Sequence, residues 1–249
     1  MTNSKELVSV IMPSFNSATC IERTIRSVQA QTHANWELLI TDDCSTDNTV
    51  EIVESLAKSD ARIKLSRLPN NSGAAVARNE AIKRAKGRYI AFLDADDRWL
   101  ESKLEAQITF MQQHSVALCY SAYHTIKDGS RVNTFIPPAS IGYKDLLKTC
   151  SIGCLTAIYD VQYVGKRYMP LIRKRQDFAL WLDILRDGTV AKGLKKPLAE
   201  YTLGGGISQN KLKVLQYQWS VYRDVEKLSL LTSCYYFFCY GINGLIKYR

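Results

Sequence analysis

At 249 residues the chain is long enough to bury a substantial core, which excludes the small scaffolds that depend on disulfide or metal staples. Its 33 basic against 24 acidic residues leave a formal charge of +9, favouring anionic partners: nucleic acid, phosphorylated substrates or an anionic membrane face. Seven cysteines, an odd number without a Cys-x-x-Cys pair, give neither a zinc signature nor a disulfide framework and suit a reducing cytosol.

The chain reaches a strand almost at once, so no signal peptide is expected. Leu7 to Met12 alternates and is rich in Val and Ile, and it stops at Pro13-Ser14-Phe15-Asn16. From Cys20 to Gln31, Ile21, Ile25 and Val28 fall at helical spacing. Trp36 to Thr41 makes a second strand, followed by Asp42-Asp43-Cys44-Ser45-Thr46-Asp47 and a helix carrying Val50, Ile52, Val53 and Leu56. Ile63 to Leu68 is a short third strand, Asn70-Asn71-Ser72-Gly73 a loop, and Ala74 to Ala85 an alanine-rich helix ended by Gly87. Tyr89 to Leu93 reads as a buried strand, and Asp94-Ala95-Asp96-Asp97 stands at its C-terminal end.

Strands alternating with helices at this spacing imply a mostly parallel sheet with right-handed crossovers and helices on both faces. Such sheets bind ligands outside the carboxyl ends of their strands. The first, second and fourth strands each deliver polar or acidic residues there, so Asn16, Asp42, Asp43, Asp94, Asp96 and Asp97 converge on one crevice. Carboxylates packed this closely repel unless a cation or proton intervenes, and oxygen donors alone suit magnesium or manganese. The competing reading is an acidic turn whose side chains cap the following helix.

Lys103 to His114 reads as a helix and Val116 to Ile126 as a strand, with a hairpin through Lys127-Asp128-Gly129 returning along Arg131 to Phe135. After Pro137-Pro138 the alternation is lost. Gln176 to Leu185 begins a helix with Asp177 near its first turn. The run Lys166 to Arg175 carries five basic residues and no acid, either a solvated face or a grip on diphosphate. From Leu228 to Ile246, 19 residues lack charge; the segment is too polar to read as a spanning helix and fits an interfacial or a buried one.

Over residues 6 to 210 the sequence resembles the inverting family 2 glycosyltransferases of GT-A fold. The matching pieces are Val10 to Asn16, Gln31-Thr32 with Trp36-Glu37, Asp42 to Asp47, Asn71-Ser72-Gly73 with Ala77-Arg78-Asn79, Leu93 to Asp97, and Gln176-Asp177. The nearest subgroup extends lipid-linked O-antigen, capsule or teichuronic-type glycans. Cys44, Gln176 and Thr202 depart from the usual pattern.

The resemblance implies an α/β GT-A domain over residues 1–210, its halves 1–99 and 100–210 serving donor and acceptor, then a helical extension over 211–249. It implies a UDP-sugar held by Pro13, Phe15, Asn16, Asp42, Asp43, Arg78, Asp94, Ala95 and Asp96, with Mn2+ or Mg2+ on Asp96 and Asp94. Asp177 is then the base, and Arg173, Lys174 and Arg175 face the diphosphate of a lipid-linked saccharide at the cytoplasmic face of the inner membrane. Helix capping stays open for Asp42, Asp43 and Asp177, core packing for Phe15, and a surface position for Arg78. Transfer to a protein or soluble glycan, and a non-catalytic nucleotide-sugar-binding subunit, are the alternative functions. Nucleic acid has only net charge in its favour, and Pro13-Ser14-Phe15-Asn16 lacks the glycines of a dinucleotide-binding turn.

Overall fold

The computed structural model describes residues 6–203 and 211–247. In its first half, four strands alternate with three helices: β1 (Val8–Ser14), α1 (Ile21–Gln29), β2 (Trp36–Asp42), α2 (Thr49–Ser59), β3 (Ile63–Arg67), α3 (Ala74–Arg84) and β4 (Tyr89–Phe92). The short β5 (Arg98–Trp99) leads to α4 (Lys103–His114), then the hairpin of β6 (Leu118–Lys127) and β7 (Ser130–Phe135). Beyond it come β8 (Ser140–Ile141), α5 (Tyr143–Lys148), a 3-10 turn (Cys154–Thr156), β9 (Ile158–Asp160) and α6 (Val161–Val164). Next are α7 (Gln176–Leu185), β10 (Ala191–Leu203), α8 (Lys211–Ser220), a π-helical turn (Val221–Val225) and α9 (Leu230–Lys247).

One sheet runs β3-β2-β1-β4-β9-β6-β10-β5, with β7 beside β6 and β8 beside β10. The first four strands are parallel, as the alternation of strand and helix requires. The acceptor-side half is mixed: β6 and β10 are parallel, whereas β9 is antiparallel to both β4 and β6. A three-residue strand that follows a 3-10 turn leaves no periodic signal, so this part was not legible in the sequence.

The central strands are buried along nearly their whole length because both faces of the sheet are covered. Their period of two sorts the residues: Ile11, Leu39, Ile90 and Phe92 point to a core built with α3, α5 and α7. Val10, Met12, Leu38, Ile40 and Ala91 point to the other, under α1, α2 and α4. Phe92 packs edge-on to Trp181 of α7 at 5.4 Å, tying the helix that bears Asp177 to the strand that bears the acidic turn. Each fully buried aromatic or aliphatic side chain of this kind contributes about 1.5–3 kcal/mol.

No described helix is long and apolar enough to cross a membrane. Instead α9 lies on the domain. Tyr236 is buried beside Tyr222, Phe237 meets Trp219 edge-on at 5.4 Å, and Asn243 donates to the Lys148 carbonyl at 3.1 Å. The opposite face exposes Leu231, Tyr235, Phe238 and Ile242, a stripe at helical spacing. The buried reading of this segment therefore describes one face of α9, while the other is exposed.

Candidate active site

Because β2, β1 and β4 are parallel neighbours, the residues after them share one edge of the sheet, and two strand spacings put the ends of β2 and β4 about 10 Å apart. After β1 the chain turns through Asn16 at φ 46, a conformation asparagine tolerates better than most residues. The Asn16 side-chain oxygen accepts from Thr46 N at 2.9 Å, which clasps the β1 turn to the β2 turn. Phe15 is 47% exposed beside this clasp, so it is not a core residue, and Pro13 is half-buried behind it.

Asp42 and Asp43 diverge. Asp42 is fully buried, accepting from Ser14 Oγ at 3.3 Å and from Ser45 N at 2.9 Å, so it braces two turns and cannot touch a nucleotide. This corrects its assignment as a donor contact. Asp43 accepts from Ser72 N at 2.6 Å and Gly73 N at 2.8 Å. Gly73 sits at φ 92, open only to glycine at low cost, so the carboxylate and the glycine together fold the 70–73 loop over β2 at the start of α3.

The turn after β4 is held from α1. Thr24 Oγ1 lies 2.7 Å from the Ala95 carbonyl and 2.8 Å from that of Asp97, and Arg23 donates to the Asp96 carbonyl at 3.2 Å. Ala95 packs in the core under α1 and its carbonyl is engaged by Thr24, so it shapes the turn. Asp97 is also buried, and its Oδ1 accepts from Thr202 N at 3.0 Å; burial and the charges of Asp94 and Asp96 push its carboxyl well up. Asp97 thereby joins the turn to β10. The half-buried Asp96 remains, its carboxyl raised by burial and then by Asp94.

These residues fit a divalent cation. Among the described residues no group of three or more His, Cys, Asp or Glu is arranged to hold a metal; at this turn Asp96 and Asp94 are the two carboxylates that would hold one, near enough for the charge of one to raise the other. Magnesium and manganese sites that take one or two carboxylates and complete their shell with substrate phosphate have this composition. The repulsion that raises Asp96 is the kind a cation relieves.

Arg78 sets the centre of the site. It is buried rather than on the helix surface, its Nη2 donating to Asp94 Oδ1 at 2.5 Å and its Nη1 to Gln176 Oε1 at 3.0 Å. Burial opposes its charge, but Asp94 and Asp177 hold its pKa above the ordinary arginine value. Gln176 also donates to the Ile172 carbonyl at 2.8 Å, so the first turn of α7 is fastened to the donor side. Asp177 stands half-exposed inside that turn, past the cap position, which is Arg175. Asn79 exchanges two hydrogen bonds with the Met169 backbone, both at 2.8 Å, pinning the basic segment to α3.

The basic segment does not act as a block. Arg173 is exposed, Lys174 lies 5.4 Å from the Tyr217 ring, and Arg175 donates to the Tyr240 hydroxyl on α9. Arg175, half-buried, is thus tied to α9 and faces a different neighbour from the other two basic residues. Sequence reading also missed Arg23, Thr24 and Cys154. Nothing in a helix pattern marks the first two as braces of the acidic turn, and the thiol of Cys154 is pushed well up by burial and then by Asp94. A separate open groove of about 970 Å3 runs between α1 and residues 98–102, lined by Arg23, Arg26 and Arg98, and contains none of Asp43, Asp96 or Asp177.

A parallel half-sheet delivering acidic turns from β2 and β4 to one edge, with a second half closing over it, is the GT-A arrangement of nucleotide-sugar transferases. The chain belongs to glycosyl transferase family 2, whose description matches residues 9–163. It is 47% identical over 250 residues to the Bacillus subtilis glycosyltransferase TuaG, named for teichuronic acid biosynthesis, covering 99% of each chain. It is 43% identical over 244 residues to the Escherichia coli UDP-Glc:alpha-D-GlcNAc-diphosphoundecaprenol beta-1,3-glucosyltransferase WfgD, covering 97% of this chain and 95% of that one. The structure of S. aureus TarS in complex with UDP-GlcNAc superposes with a TM-score of 0.70 at 23% identity, over 87% of this chain and 66% of that chain, which shows a shared fold.

Proposed function

We propose that the protein is an inverting hexosyltransferase that moves a sugar from a UDP-sugar to a saccharide carried on undecaprenyl diphosphate, during assembly of a bacterial surface polysaccharide. The observation that carries this reading is Arg78, which joins Asp94 of the donor edge to Gln176, the residue beside Asp177. A donor-holding turn and a carboxylate able to act as base are thereby fixed relative to one another. The Escherichia coli relative named above supplies the acceptor chemistry.

The uracil ring would lie against Phe15 and Pro13. Asp43 uses one lone pair on each oxygen for the 70–73 loop, and a carboxylate offers about four acceptor sites, so capacity remains for the ring N3–H. Asp96 and Asp94 would hold the divalent cation, which when bound stabilises the negative charge building on the departing nucleoside diphosphate. Asp177 takes the proton of the acceptor hydroxyl as its oxygen forms a bond to the anomeric carbon, on the face opposite the breaking bond to UDP. Arg78 pairs with Asp94 and orients the start of α7 through Gln176, acting from beside the reacting atoms.

The outer stripe of α9 suits a bilayer surface: Leu231 is 83% and Phe238 69% exposed. Lys227 precedes the helix and the whole chain carries +9, which favours the anionic cytoplasmic leaflet where a lipid-linked acceptor resides. The protein would be peripheral there.

The test is a panel of UDP-sugars with a synthetic lipid-diphosphate GlcNAc or GalNAc acceptor, with and without manganese, followed by assignment of the product anomer. One sugar transferred with inversion and dependence on the cation is expected. Failure of every UDP-sugar, or a retained anomeric configuration, would overturn the proposal.

A further inference from the structure

We infer that Tyr240, on the inward face of α9, is a positioning residue for Asp177, so that the C-terminal helix governs turnover at the site. The inference rests on the reading of Asp177 as the base.

Arg175 is the link. It occupies the position before α7 at φ 65 and ψ 23, a left-handed conformation uncommon for a side chain of its size. A non-glycine residue stays in that region only where its surroundings hold it, and such residues gather at functional sites. Here the hold is visible. The Arg175 guanidinium donates to the Tyr240 hydroxyl oxygen and lies 5.3 Å from the centroid of its ring.

The Arg175 backbone also starts the helix, its carbonyl accepting from Ala179 N at 3.0 Å. The setting of this one residue therefore fixes the phase of the first turn, and with it the direction in which Asp177 projects. Arg78 holds the same turn from the opposite side through Gln176. Two elements far apart in sequence, α3 and α9, thus clamp the two residues immediately before Asp177.

α9 is able to bear this load because it is anchored to the domain: Phe237 packs on Trp219, Tyr236 on Tyr222, and Asn243 donates to the carbonyl of Lys148 at the end of α5. The stripe proposed to meet the membrane is on the reverse of the same helix. Anything that shifts α9 is transmitted to Arg175, and a misplacement of about 1 Å in a reacting group costs up to roughly a hundredfold in rate.

The experiment compares the full-length protein with Tyr240→Phe, which keeps the ring and removes the hydroxyl that accepts from Arg175. Asp177→Asn is measured beside it. kcat and KM are determined for the UDP-sugar and the lipid-diphosphate acceptor, with UDP affinity and thermal midpoint as controls. The expected result is that Asp177→Asn abolishes transfer while Tyr240→Phe lowers kcat roughly tenfold, with both KM values, UDP affinity and thermal midpoint retained. If Asp177→Asn is inactive and Tyr240→Phe turns over like the wild type, the coupling through α9 is overturned and the base assignment stands. If Tyr240→Phe changes KM or the thermal midpoint in step with kcat, its role is packing and the inference is overturned. If Asp177→Asn still transfers sugar, the base assignment falls and the inference falls with it.

Discussion

Arg78 and Asp94 form a largely buried ion pair at 2.5 Å between a helix and the acidic turn, with side chains 11% and 34% exposed. Arg78 is the only cation seen to hydrogen-bond a carboxylate of that turn among the described residues. Replacing it by Gln leaves Asp94 facing Asp96 without compensation and removes the donor to Gln176. Arg78→Gln is expected to lose about 2–3 kcal/mol of stability, since breaking a buried pair leaves one charge unmatched. Turnover should fall at the same time. Urea unfolding and initial rates check the two effects separately.

Asp43 carries two backbone N–H groups on its carboxylate, and hydrogen bonds to a charged acceptor contribute roughly 1.5–3 kcal/mol each. Asp43→Ala releases Ser72 and Gly73, so the 70–73 loop no longer closes on β2. UDP affinity should fall at least about tenfold, because the loop and the acceptor for the ring are lost together. Calorimetric titration with UDP measures it.

A cation requirement centred on Asp96 gives a different signature. In the wild type, manganese should raise UDP affinity and a chelator should reverse the gain. In Asp96→Asn, UDP affinity should be equally weak with and without the metal. A variant that keeps the full manganese response would remove Asp96 from the cation site.

Lys103 gives a prediction about stability. It is fully buried, donates to Gln107 Oε1, and lies 4.5 Å from the Trp99 ring, just behind the acidic turn. Burial pushes its ammonium group down from 10.5 to about 7. Between those values the unfolded chain retains a proton that the folded chain has released. Stability from this group therefore rises with pH across the window and is lost as pH falls toward 7, by at most about 1.4 kcal/mol per unit. Lys103→Met should be more stable than the wild type at neutral pH, with a gap that narrows toward pH 10. Urea midpoints of both proteins across that range isolate the effect from other titrating groups.

The stripe on α9 is tested without disturbing its buried face. Leu231→Ser with Phe238→Ser should reduce sedimentation with vesicles containing anionic phospholipid and leave UDP affinity unchanged. Equal sedimentation of variant and wild type would remove α9 as the membrane-contacting surface.

The elements that frame the candidate site were legible in the sequence. The parallel half follows from apolar strands of period two separated by helices of period 3.6, and the bounds expected for the helices beginning at Lys103 and Gln176 match the structure. What sequence could not separate was neighbouring residues of one chemical type. Asp42 and Asp43 are adjacent carboxylates, yet strand pleat turns one inward to Ser14 and Ser45 while the other reaches the loop before α3. Arg173, Lys174 and Arg175 look alike as a basic run, and only the packing of α8 and α9 gives Lys174 and Arg175 separate neighbours while Arg173 stays exposed. Contacts between elements that far apart have no local periodic signal.

The place of β9 has a consequence for the order of synthesis. This strand of three residues lies between β4 and β6, although it follows both in the chain. A nascent polypeptide that has emerged only through β6 has every strand of the parallel half but leaves one backbone flank of β4 unpaired, with Ile90 and Ala91 awaiting Tyr159 and Ile158. An apolar flank of that kind invites pairing with other chains. Separating the halves as independent fragments should therefore yield insoluble material, and a split protein should recover only when the second piece is present to supply residues 158–160.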